Sequence, residues 1–274
     1  MSISTVEFDF FRTLVRRESA IVIEPGKEYL VESRLAPLAT REGFTSLQEL
    51  ALGVSKQGSS DLQRKVIDAM TTNETSFFRD AHPFDVLQKT ILPELIAARK
   101  ESKTLNFWFA ASSTGQEPYS VAMILKEHFP QLAAWQVYCL ATDLSRDVLQ
   151  RAESGGFSQL EVNRGLPISY LVKYFEKQGT EWRIKGCIRS MVNFQELNLI
   201  MAWPPMRPMD VVMIRNVLIY FDVETKKKIL RKIREILKPD GYLFLGGAET
   251  TLNLDDHFER MPFERSGCYR LKRN

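Results

Sequence analysis

The sequence predicts an α/β protein, a doubly wound and mostly parallel sheet preceded by a small all-helical domain. Apolar residues recur at helical spacing, without a strand pattern, over about the first 80 residues. From there on, short apolar runs that end in small or polar residues alternate with amphipathic helical stretches, which is typical of parallel sheets. We therefore expect a helical domain over residues 1–80 and an α/β domain over residues 81–274.

The helical domain is predicted from apolar positions that repeat every three or four residues. Phe8, Phe11 and Leu14 show this spacing in the first helix. The same spacing over residues 30–38 and 62–70 predicts two further helices. No strand is needed to account for this part of the chain.

The α/β domain is predicted from strand and helix patterns that follow each other in turn. Four apolar runs predict buried strands, namely LNFWFAA, VYCLATD, DVVMIRN and YLFLGG. Amphipathic stretches predict the helices of this domain, namely EPYSVAMILKEHF, SRDVLQRAESG and VETKKKILRKIREILK. A small antiparallel β insert is predicted at about 168–194, where EWRIK and IRSMVNF follow the helical pattern ISYLVKYFEK.

Composition excludes several classes of protein. The 274 residues are 44% hydrophobic, which is too apolar for a disordered chain. No apolar run approaches the roughly 18 residues that cross a bilayer, so we expect no membrane insertion. The N-terminus has no secretory pattern, and three cysteines indicate a reducing compartment, so we expect a cytoplasmic protein. Because the cysteines lack CxxC spacing, we expect no metal. A net charge of +3 is too small to imply nucleic acid.

A small-residue loop after the first predicted strand is a candidate nucleotide site. Gly115 allows a tight turn there, and Asp143 ends the second predicted strand roughly 28 residues later. An ionised carboxylate at that position is a good acceptor for ribose hydroxyls. The loop lacks GxGxxG, and Glu117 would repel a phosphate, so these residues favour a cationic nucleoside such as S-adenosylmethionine. From this segment alone, a plain strand-to-helix turn is an equally good interpretation.

Five strings occur together in one order. They are TTNETSFFRD (71–80), AASSTGQEPYSVAM (110–123), ATDLS (141–145), FQELNL (194–199) and IRNVLIYFD (214–222). This set closely resembles the CheR family of chemotaxis receptor methyltransferases, over nearly the whole chain. The resemblance implies a Rossmann-like class I methyltransferase domain with an N-terminal all-helical domain for receptor recognition. It also implies methyl transfer from S-adenosylmethionine to glutamates on the cytoplasmic helices of methyl-accepting chemotaxis receptors, with S-adenosylhomocysteine as product.

The same resemblance implies roles for single residues. The predicted cofactor-binding residues are Asn73, Thr75, Arg79, Glu117, Asp143, Asn198, Leu199, Arg215 and Asn216. Among them, Asp143 would meet the ribose, Asn198 and Leu199 the adenine region, and Arg215 and Asn216 the methionyl portion. Tyr220 would lie near the transferred methyl group, and Tyr220 and Arg79 are the predicted catalytic residues.

Two departures from the family pattern are visible. Gln116 stands where family loops commonly have the first acid of GEEPYS, so Glu117 is expected to act alone. The turn at 178–180 is short, whereas family members that tether to a receptor's C-terminal peptide tend to carry a longer glycine-rich loop. We therefore expect no peptide tethering, and we expect a monomer.

The resemblance implies receptor docking on a basic helix of the N-terminal domain, where Lys27, Arg34 and Arg41 lie close to a single helical stretch. The Lys- and Arg-rich face of the helix at 223–238 is interpreted as a solvated face.

Two other functions are open at this point. One is a methyltransferase of the same fold acting on RNA or a small molecule, although no large basic patch or RNA module is present. The other is a non-catalytic module that senses S-adenosylmethionine, although Arg79, Glu117, Asp143 and Asn216 are all retained. A glutamate acceptor fits a site without histidine, because its pKa of about 4.3 leaves it ionised at neutral pH.

Overall fold

The computed structural model describes residues 3–57 and 61–272, and these residues form two compact units. The first unit runs to Thr72 and also includes Tyr220–Thr225. The second unit contains Asn73–Ile219 and the chain from Lys226 on. The predicted boundary at residue 80 is therefore eight residues later than the point where the first unit ends, and one later segment belongs to that unit as well.

The first unit is helical. Its core consists of side chains at the predicted spacing, and Phe11, Val31, Leu35 and Val66 are completely buried. A capping box between Ser4 and Glu7 begins the first helix. The helices of this unit are α1 (Thr5–Ser19), α2 (Glu28–Arg41), α3 (Leu47–Gln57) and α4 (Asp61–Met70).

Arg34 has a structural task in this unit. Its Nη1 donates to the carbonyl oxygens of Met70 and Thr71 at 2.6 and 3.0 Å, and its Nη2 donates to Thr72 Oγ1 at 2.8 Å. These bonds satisfy carbonyl groups that α4 leaves open at its C-terminal end. The guanidinium of Arg34 is therefore already engaged within the unit, and receptor docking on this basic helix stays a prediction.

The segment Tyr220–Thr225 is tied to the helical unit by two contacts. The backbone N–H of Val22 donates to the Tyr220 carbonyl at 2.9 Å. Arg16 Nη2 lies 3.1 Å from Asp222 Oδ2 in an exposed ion pair. The helical unit is thus assembled from two separate stretches of the sequence.

The described residues of the second unit contain ten strands, which are β1 (Thr104–Ala110), β2 (Gln136–Asp143), β3 (Gly156–Ser158), β4 (Phe175–Gln178), β5 (Glu181–Ile184), β6 (Val192–Glu196), β7 (Met209–Ile214), β8 (Leu237–Leu245), β9 (Phe258–Arg260) and β10 (Cys268–Leu271). Seven of them form the main sheet, in the order β6-β2-β1-β7-β8-β10-β9. Neighbours from β6 to β8 are parallel, and β10 is antiparallel to both β8 and β9.

Helices flank this sheet and connect its strands. The helices α5 (His82–Val86) and α6 (Leu92–Ala98) are joined without a break by a single π turn at Leu87–Ile91. The α-helices that follow α4 in the chain are α5 (His82–Val86), α6 (Leu92–Ala98), α7 (Gln116–His128), α8 (Arg146–Ser154), α9 (Gln159–Asn163), α10 (Ile168–Tyr174), α11 (Gly186–Arg189) and α12 (Val223–Ile236). Short 3-10 turns lie at Pro130–Ala134 and Leu218–Tyr220.

The carboxyl ends of β2, β1 and β7 lie side by side at one edge of the main sheet. The order of the parallel strands reverses between β1 and β7, because the chain adds β2 and β6 on one side and β8 on the other. In open α/β sheets such a switch point forms a crevice for a ligand. The fold therefore brings the residues after Ala110, Asp143 and Ile214 together.

The small insert is present, but its strand pairing differs from the prediction. β5 pairs with β3 and β4 in a three-stranded antiparallel sheet, and Gly179-Thr180 forms the turn between β4 and β5. The insert thus begins at Gly156 rather than at about 168. The predicted pairing of EWRIK with IRSMVNF is wrong, because the second string forms α11 and then β6, which is parallel to β2 at the edge of the main sheet.

Candidate active site

The loop after β1 approaches β2 through backbone conformations that most residues avoid. Ala111, Ser113 and Gly115 all have positive φ, at 54, 51 and 91°. A Cβ on Gly115 would lie 3.1 Å from side-chain atoms of both Ala152 and Tyr119, so glycine is required for close packing as well as for the turn. The small-residue stretch singled out in the sequence is therefore a tightly wound and mostly buried loop at the sheet edge.

Asp143, at the end of β2, is held in place by backbone N–H groups. Its Oδ2 accepts the Ser113 N–H at 2.8 Å, and its Oδ1 accepts the Ser145 N–H at 3.0 Å. The residue is only 6% exposed, and burial raises the pKa of this carboxyl above its ordinary value, although the backbone N–H groups oppose the rise. A carboxylate oxygen can accept more than one hydrogen bond. The two backbone N–H groups therefore orient Asp143 and leave it able to accept hydrogen bonds from hydroxyl groups as well.

Arg215 bridges two acidic residues of the site, Glu117 and Asp80. Its Nη1 donates to Glu117 Oε2 at 2.8 Å, and its Nη2 donates to Asp80 Oδ2 at 2.7 Å and to the Arg79 carbonyl at 2.9 Å. Burial raises the pKa of Glu117, and the charge and hydrogen bond of Arg215 oppose that rise. Glu117 is the single acid of this loop, since Gln116 precedes it, and its charge is paired with the buried guanidinium of Arg215.

Three buried polar atoms at this edge have no hydrogen-bond partner among residues 3–57 and 61–272. They are Ser112 Oγ, Arg215 Nε and Asn216 Oδ1. Burying such atoms without a partner costs about 1–3 kcal/mol each, so native proteins rarely leave them unsatisfied. Two of them follow β7 and one follows β1, at the switch point of the sheet. The arrangement indicates a bound molecule with several polar groups.

Glu249 is a site residue that the sequence analysis missed. Its Oε2 accepts the N–H groups of Asn216 and Gly246 at 2.7 and 2.6 Å. Its Oε1 accepts those of Val217 and Ile219 at 2.8 and 3.2 Å. One buried carboxylate thus holds the loop after β7 and the loop after β8. The string GGAETT contains no motif from which this role could be predicted. An acid among small residues after a predicted strand is only a weak indication of a site residue.

Asn73 and Thr75 line a cleft of about 420 Å³ together with Thr114 and Gln116. The Asn73 carbonyl accepts the Ser113 hydroxyl at 2.8 Å, which ties this segment to the loop after β1. Gln116 is buried, and its Oε1 accepts the Thr114 hydroxyl at 2.8 Å. Gln116 therefore contributes to the loop as a neutral hydrogen-bonding residue.

Asn198 and Leu199 follow the edge strand β6. The N–H of Leu197 donates to the Asp143 carbonyl at 2.9 Å, which places this segment directly beside the end of β2. Asn198 Oδ1 accepts the Ile200 N–H at 3.2 Å, and Leu199 is buried.

The second unit brings most of the predicted site residues to one sheet edge. Arg79, Glu117, Arg215 and Asn216 form one group, and Asp143 with Asn73 forms another through Ser113. Arg79 itself is half-buried and donates to the Glu74 carbonyl at 3.0 Å. Tyr220 belongs to the helical unit, and its role at the methyl group stays a prediction.

Comparison with known proteins decides the family. The sequence profile described as "CheR methyltransferase, SAM binding domain" matches residues 73–266, and the one described as "CheR methyltransferase, all-alpha domain" matches residues 6–71. The chain belongs to the CheR methyltransferase family. The two matched ranges meet next to Thr72, where the helical unit of this CheR protein ends.

Curated relatives match over the whole length of the chain. Chemotaxis protein methyltransferase 1 of Pseudomonas aeruginosa is 43% identical, with 99% of this chain and 100% of the relative covered. Chemotaxis protein methyltransferase Cher2 of Pseudomonas putida is 39% identical at the same coverage. The chemotaxis protein methyltransferase of Vibrio parahaemolyticus is 38% identical, with 99% of both chains covered. The predicted family and fold class are therefore confirmed.

The residues present fit the cofactor of the CheR family, S-adenosylmethionine. Asp143 can accept the ribose hydroxyls, and the unpartnered oxygens of Ser112 and Asn216 suit a ligand that carries an ammonium group and hydroxyls. Glu117 supplies a carboxylate and the site holds no phosphate-binding glycine motif. The protein is an S-adenosylmethionine-dependent methyltransferase.

Two further observations concern the described residues only. No helix among them is long and apolar enough to pass through a membrane. They also contain no group of three or more His, Cys, Asp or Glu side chains arranged to hold a metal ion.

Proposed function

We propose that this protein transfers the methyl group of S-adenosylmethionine to glutamate side chains on the cytoplasmic helical region of methyl-accepting chemotaxis receptors. The products would be glutamate methyl esters and S-adenosylhomocysteine, and the reaction would adjust receptor signalling. The names of the curated relatives support a role in chemotaxis.

One observation supports a glutamate carboxylate as the methyl acceptor. The carboxylates of the site are already engaged, Glu117 and Asp80 by Arg215, and Asp143 and Glu249 by backbone N–H groups. None of them is therefore poised to remove a proton from an amine or a hydroxyl. A glutamate acceptor needs no such base, because it is ionised at neutral pH.

The electrostatics of Arg215 also suit a carboxylate acceptor. Charge is neutralised as an anionic oxygen attacks a sulfonium-bound methyl group, so a free cation that clamps the acceptor would stabilise the ground state more than the transition state. Arg215 is neutralised by Glu117 and Asp80 at 2.8 and 2.7 Å. It can therefore shape the pocket without binding the attacking carboxylate.

We assign the site residues as follows. Asp143 accepts the ribose hydroxyls, Asn198 and Leu199 border the adenine, and Asn73, Thr75 and Arg79 form one wall. Glu117, Arg215 and Asn216 bind the methionyl portion. S-adenosylmethionine supplies an electrophilic methyl group. Tyr220, with Arg79 as a second catalytic residue, orients the acceptor, and the main task of the chain is to hold the reacting atoms in line at about 3 Å.

The remaining assignments concern the whole protein. We assign residues up to Thr72 to receptor recognition, residues from Asn73 on to methyl transfer, and the protein to the cytoplasm as a monomer. The turn Gly179-Thr180 joins β4 to β5 directly, which supports the view that this insert does not tether a receptor tail peptide.

A base-release assay tests the proposal. The protein is incubated with methyl-labelled S-adenosylmethionine and receptor-containing membranes, and the product is treated with mild base. We expect volatile labelled methanol, because carboxyl methyl esters hydrolyse under these conditions. Asp143→Ala should abolish the signal, whereas Glu264→Ala, a change at an exposed position, should leave it unchanged.

Each other result contradicts the proposal in its own way. Label that stays on the protein after base treatment would identify a different acceptor. Absence of label, with cofactor binding intact, would identify a binding module without turnover.

A further inference from the structure

A second cleft lies next to Asn216 on the side of β7 that is away from Asp143. It has a volume of about 850 Å³ and lies over the carboxyl ends of β7 and β8 and the start of β10. Asp143 ends β2, which is two strands from β7 on the opposite side. The cleft therefore borders the cofactor site at Arg215 and Asn216 and extends away from the ribose position.

The floor of this cleft is electrostatically satisfied. Arg215 is paired with Asp80 and Glu117, and Glu249 accepts four backbone N–H groups. The charges on the floor are therefore paired within the protein, and none of them is left unpaired to hold an acidic segment.

The rim of the cleft carries two free cations. Arg260 and Arg265 line it and are exposed, and their side chains have no hydrogen bond or ion pair to any residue that the structure describes. Side chains alternate along a strand, so Glu259 in β9 projects from the face opposite to Arg260. Besides the paired residues of the floor, Asp80 among them, the other titratable side chains that line this cleft are His82 and the buried Tyr269.

The backbone under Arg265 is fixed rather than loose. Arg265 and Gly267 have φ of 52 and 58°, and a Cβ on Gly267 would lie 2.4 Å from the Leu245 carbonyl oxygen. The Leu245 N–H in turn donates to the Gly267 carbonyl at 2.9 Å. The turn that carries Arg265 is thus held against the end of β8.

Guanidinium groups match carboxylates through two parallel N–H donors. The attacking carboxylate itself gains nothing from such a clamp, so the arginines suit neighbouring carboxylates on the same partner. We infer that this cleft binds an acidic segment of the substrate protein, with Arg260 and Arg265 pairing glutamates that flank the methyl acceptor. The inference rests on the proposed function for the identity of the substrate, and it adds where that substrate lies.

A peptide-binding experiment tests the cleft without requiring turnover. The probes are a labelled helical peptide with glutamates along one face and its glutamine-substituted counterpart, measured by fluorescence anisotropy with S-adenosylhomocysteine present. We expect the wild type to prefer the glutamate peptide and Arg260→Ala/Arg265→Ala to bind it about five- to tenfold more weakly at low salt. The variant should bind the glutamine peptide as the wild type does, and its affinity for S-adenosylhomocysteine should be unchanged.

A matched variant removes two cations elsewhere. Lys100 and Lys103 are exposed and precede β1, so they lie at the amino edge of the sheet. Lys100→Ala/Lys103→Ala should bind the glutamate peptide as the wild type does. Three results would each overturn the inference. The two double variants could lose affinity for the glutamate peptide equally, the arginine variant could lose none, or the wild type could show no preference for the glutamate peptide.

Turnover separates this inference from the proposed function. With receptor membranes, Arg260→Ala/Arg265→Ala should raise KM for the receptor by a similar factor and leave kcat within about twofold, since the rim does not touch the reacting atoms. If the wild type methylates no receptor, the proposed function fails, and the peptide measurement still decides whether the cleft binds acidic segments.

Discussion

Glu249 Oε2 accepts the backbone N–H of Asn216 at 2.7 Å, across 33 positions of the sequence. Asn216 has a φ of 60°, in the left-handed region that asparagine tolerates better than most residues with a side chain. A Cβ on Gly246 would lie 2.7 Å from both Asn216 Nδ2 and Glu249 Oε2, so the two loops approach as closely as glycine permits. The site after β7 therefore depends on a residue that follows β8.

Removing this carboxylate should damage both stability and cofactor binding. Glu249→Ala leaves four N–H groups without their acceptor, and we expect the free energy of unfolding to fall by about 3–5 kcal/mol. Cofactor affinity, measured by calorimetry, should fall because Asn216 is released. Glu264→Ala, at an exposed position, should change unfolding by less than about 0.5 kcal/mol. Wild-type stability and affinity in Glu249→Ala would contradict the assigned role.

Arg215 and Glu117 should behave as a coupled pair. Arg215→Met leaves a buried carboxylate at Glu117 without its cation, at a cost of about 3–5 kcal/mol. Glu117→Gln should cost less, because Arg215 keeps Asp80 and the Arg79 carbonyl. Chemical denaturation of both single variants and of the double variant gives the coupling energy, which we expect to exceed about 1 kcal/mol. Additive losses would show that the pair is not coupled.

Cofactor affinity should depend on pH through Asp143. Burial holds the pKa of this carboxyl above its ordinary value of about 3.9. The ionised form accepts hydroxyl donors best, so affinity should be constant above the raised pKa and decrease as the pH falls through it. Calorimetric titrations over a pH series on the wild type and Asp143→Asn provide the test.

The Asp143→Asn variant should bind more weakly at neutral pH and lose this dependence. The pKa of Glu117 is also raised by burial, so any slope that remains in Asp143→Asn should disappear in the double variant with Glu117→Gln. A pH profile that is the same in Asp143→Asn and in the wild type would exclude Asp143 from cofactor binding.

Gly165 should tolerate no side chain. Its φ is 87°, and a Cβ there would lie 2.1 Å from the Phe77 carbonyl oxygen, within the TTNETSFFRD segment. Gly165→Ala should therefore lower the free energy of unfolding by more than about 3 kcal/mol and weaken cofactor binding. Gly179 is a matched control, because its φ of 61° is also positive but a Cβ at this position would have no described atom within 4 Å. Gly179→Ala should cost about 1 kcal/mol in thermal unfolding, and equal effects at the two positions would refute this explanation.

Tyr220→Phe should lower kcat more than it weakens cofactor binding. A hydroxyl group can orient a carboxylate acceptor with less ground-state stabilisation than a cation would give. Steady-state kinetics combined with calorimetry separate the two effects. An unchanged kcat would remove Tyr220 from the mechanism.

The sequence was sufficient for the features that depend on local pattern. All six residues of β7 are buried, as its apolar run predicted, and Asp143 ends a strand as its position after VYCLAT predicted. The ordered set of motifs identified the family before any residue could be placed in space. These features follow from periodicity and from strand ends, which a single sequence displays directly.

The features that the sequence did not reveal depend on distant parts of the chain. Phe175 continues a helical pattern, yet it begins β4 because its ring packs at 5.6 Å from Phe77 and 6.1 Å from Phe157. β6 alternates buried and exposed residues as an antiparallel strand would, and only its partner β2 makes it parallel. Arg34 resembles any other surface cation in the sequence, but its guanidinium donates to backbone carbonyls that lie 36 and 37 positions away.

The two-part construction of the helical unit limits how it can be exchanged between relatives. A chimera that received residues 1–72 from another family member would break the Val22–Tyr220 and Arg16–Asp222 contacts, since each contact has one residue on either side of that junction. Under the proposed assignment of receptor recognition to this unit, exchanging receptor preference would therefore require Tyr220–Thr225 to be exchanged together with the helices. Because Tyr220 lies in that segment, the exchange would also replace the residue that we propose to orient the acceptor.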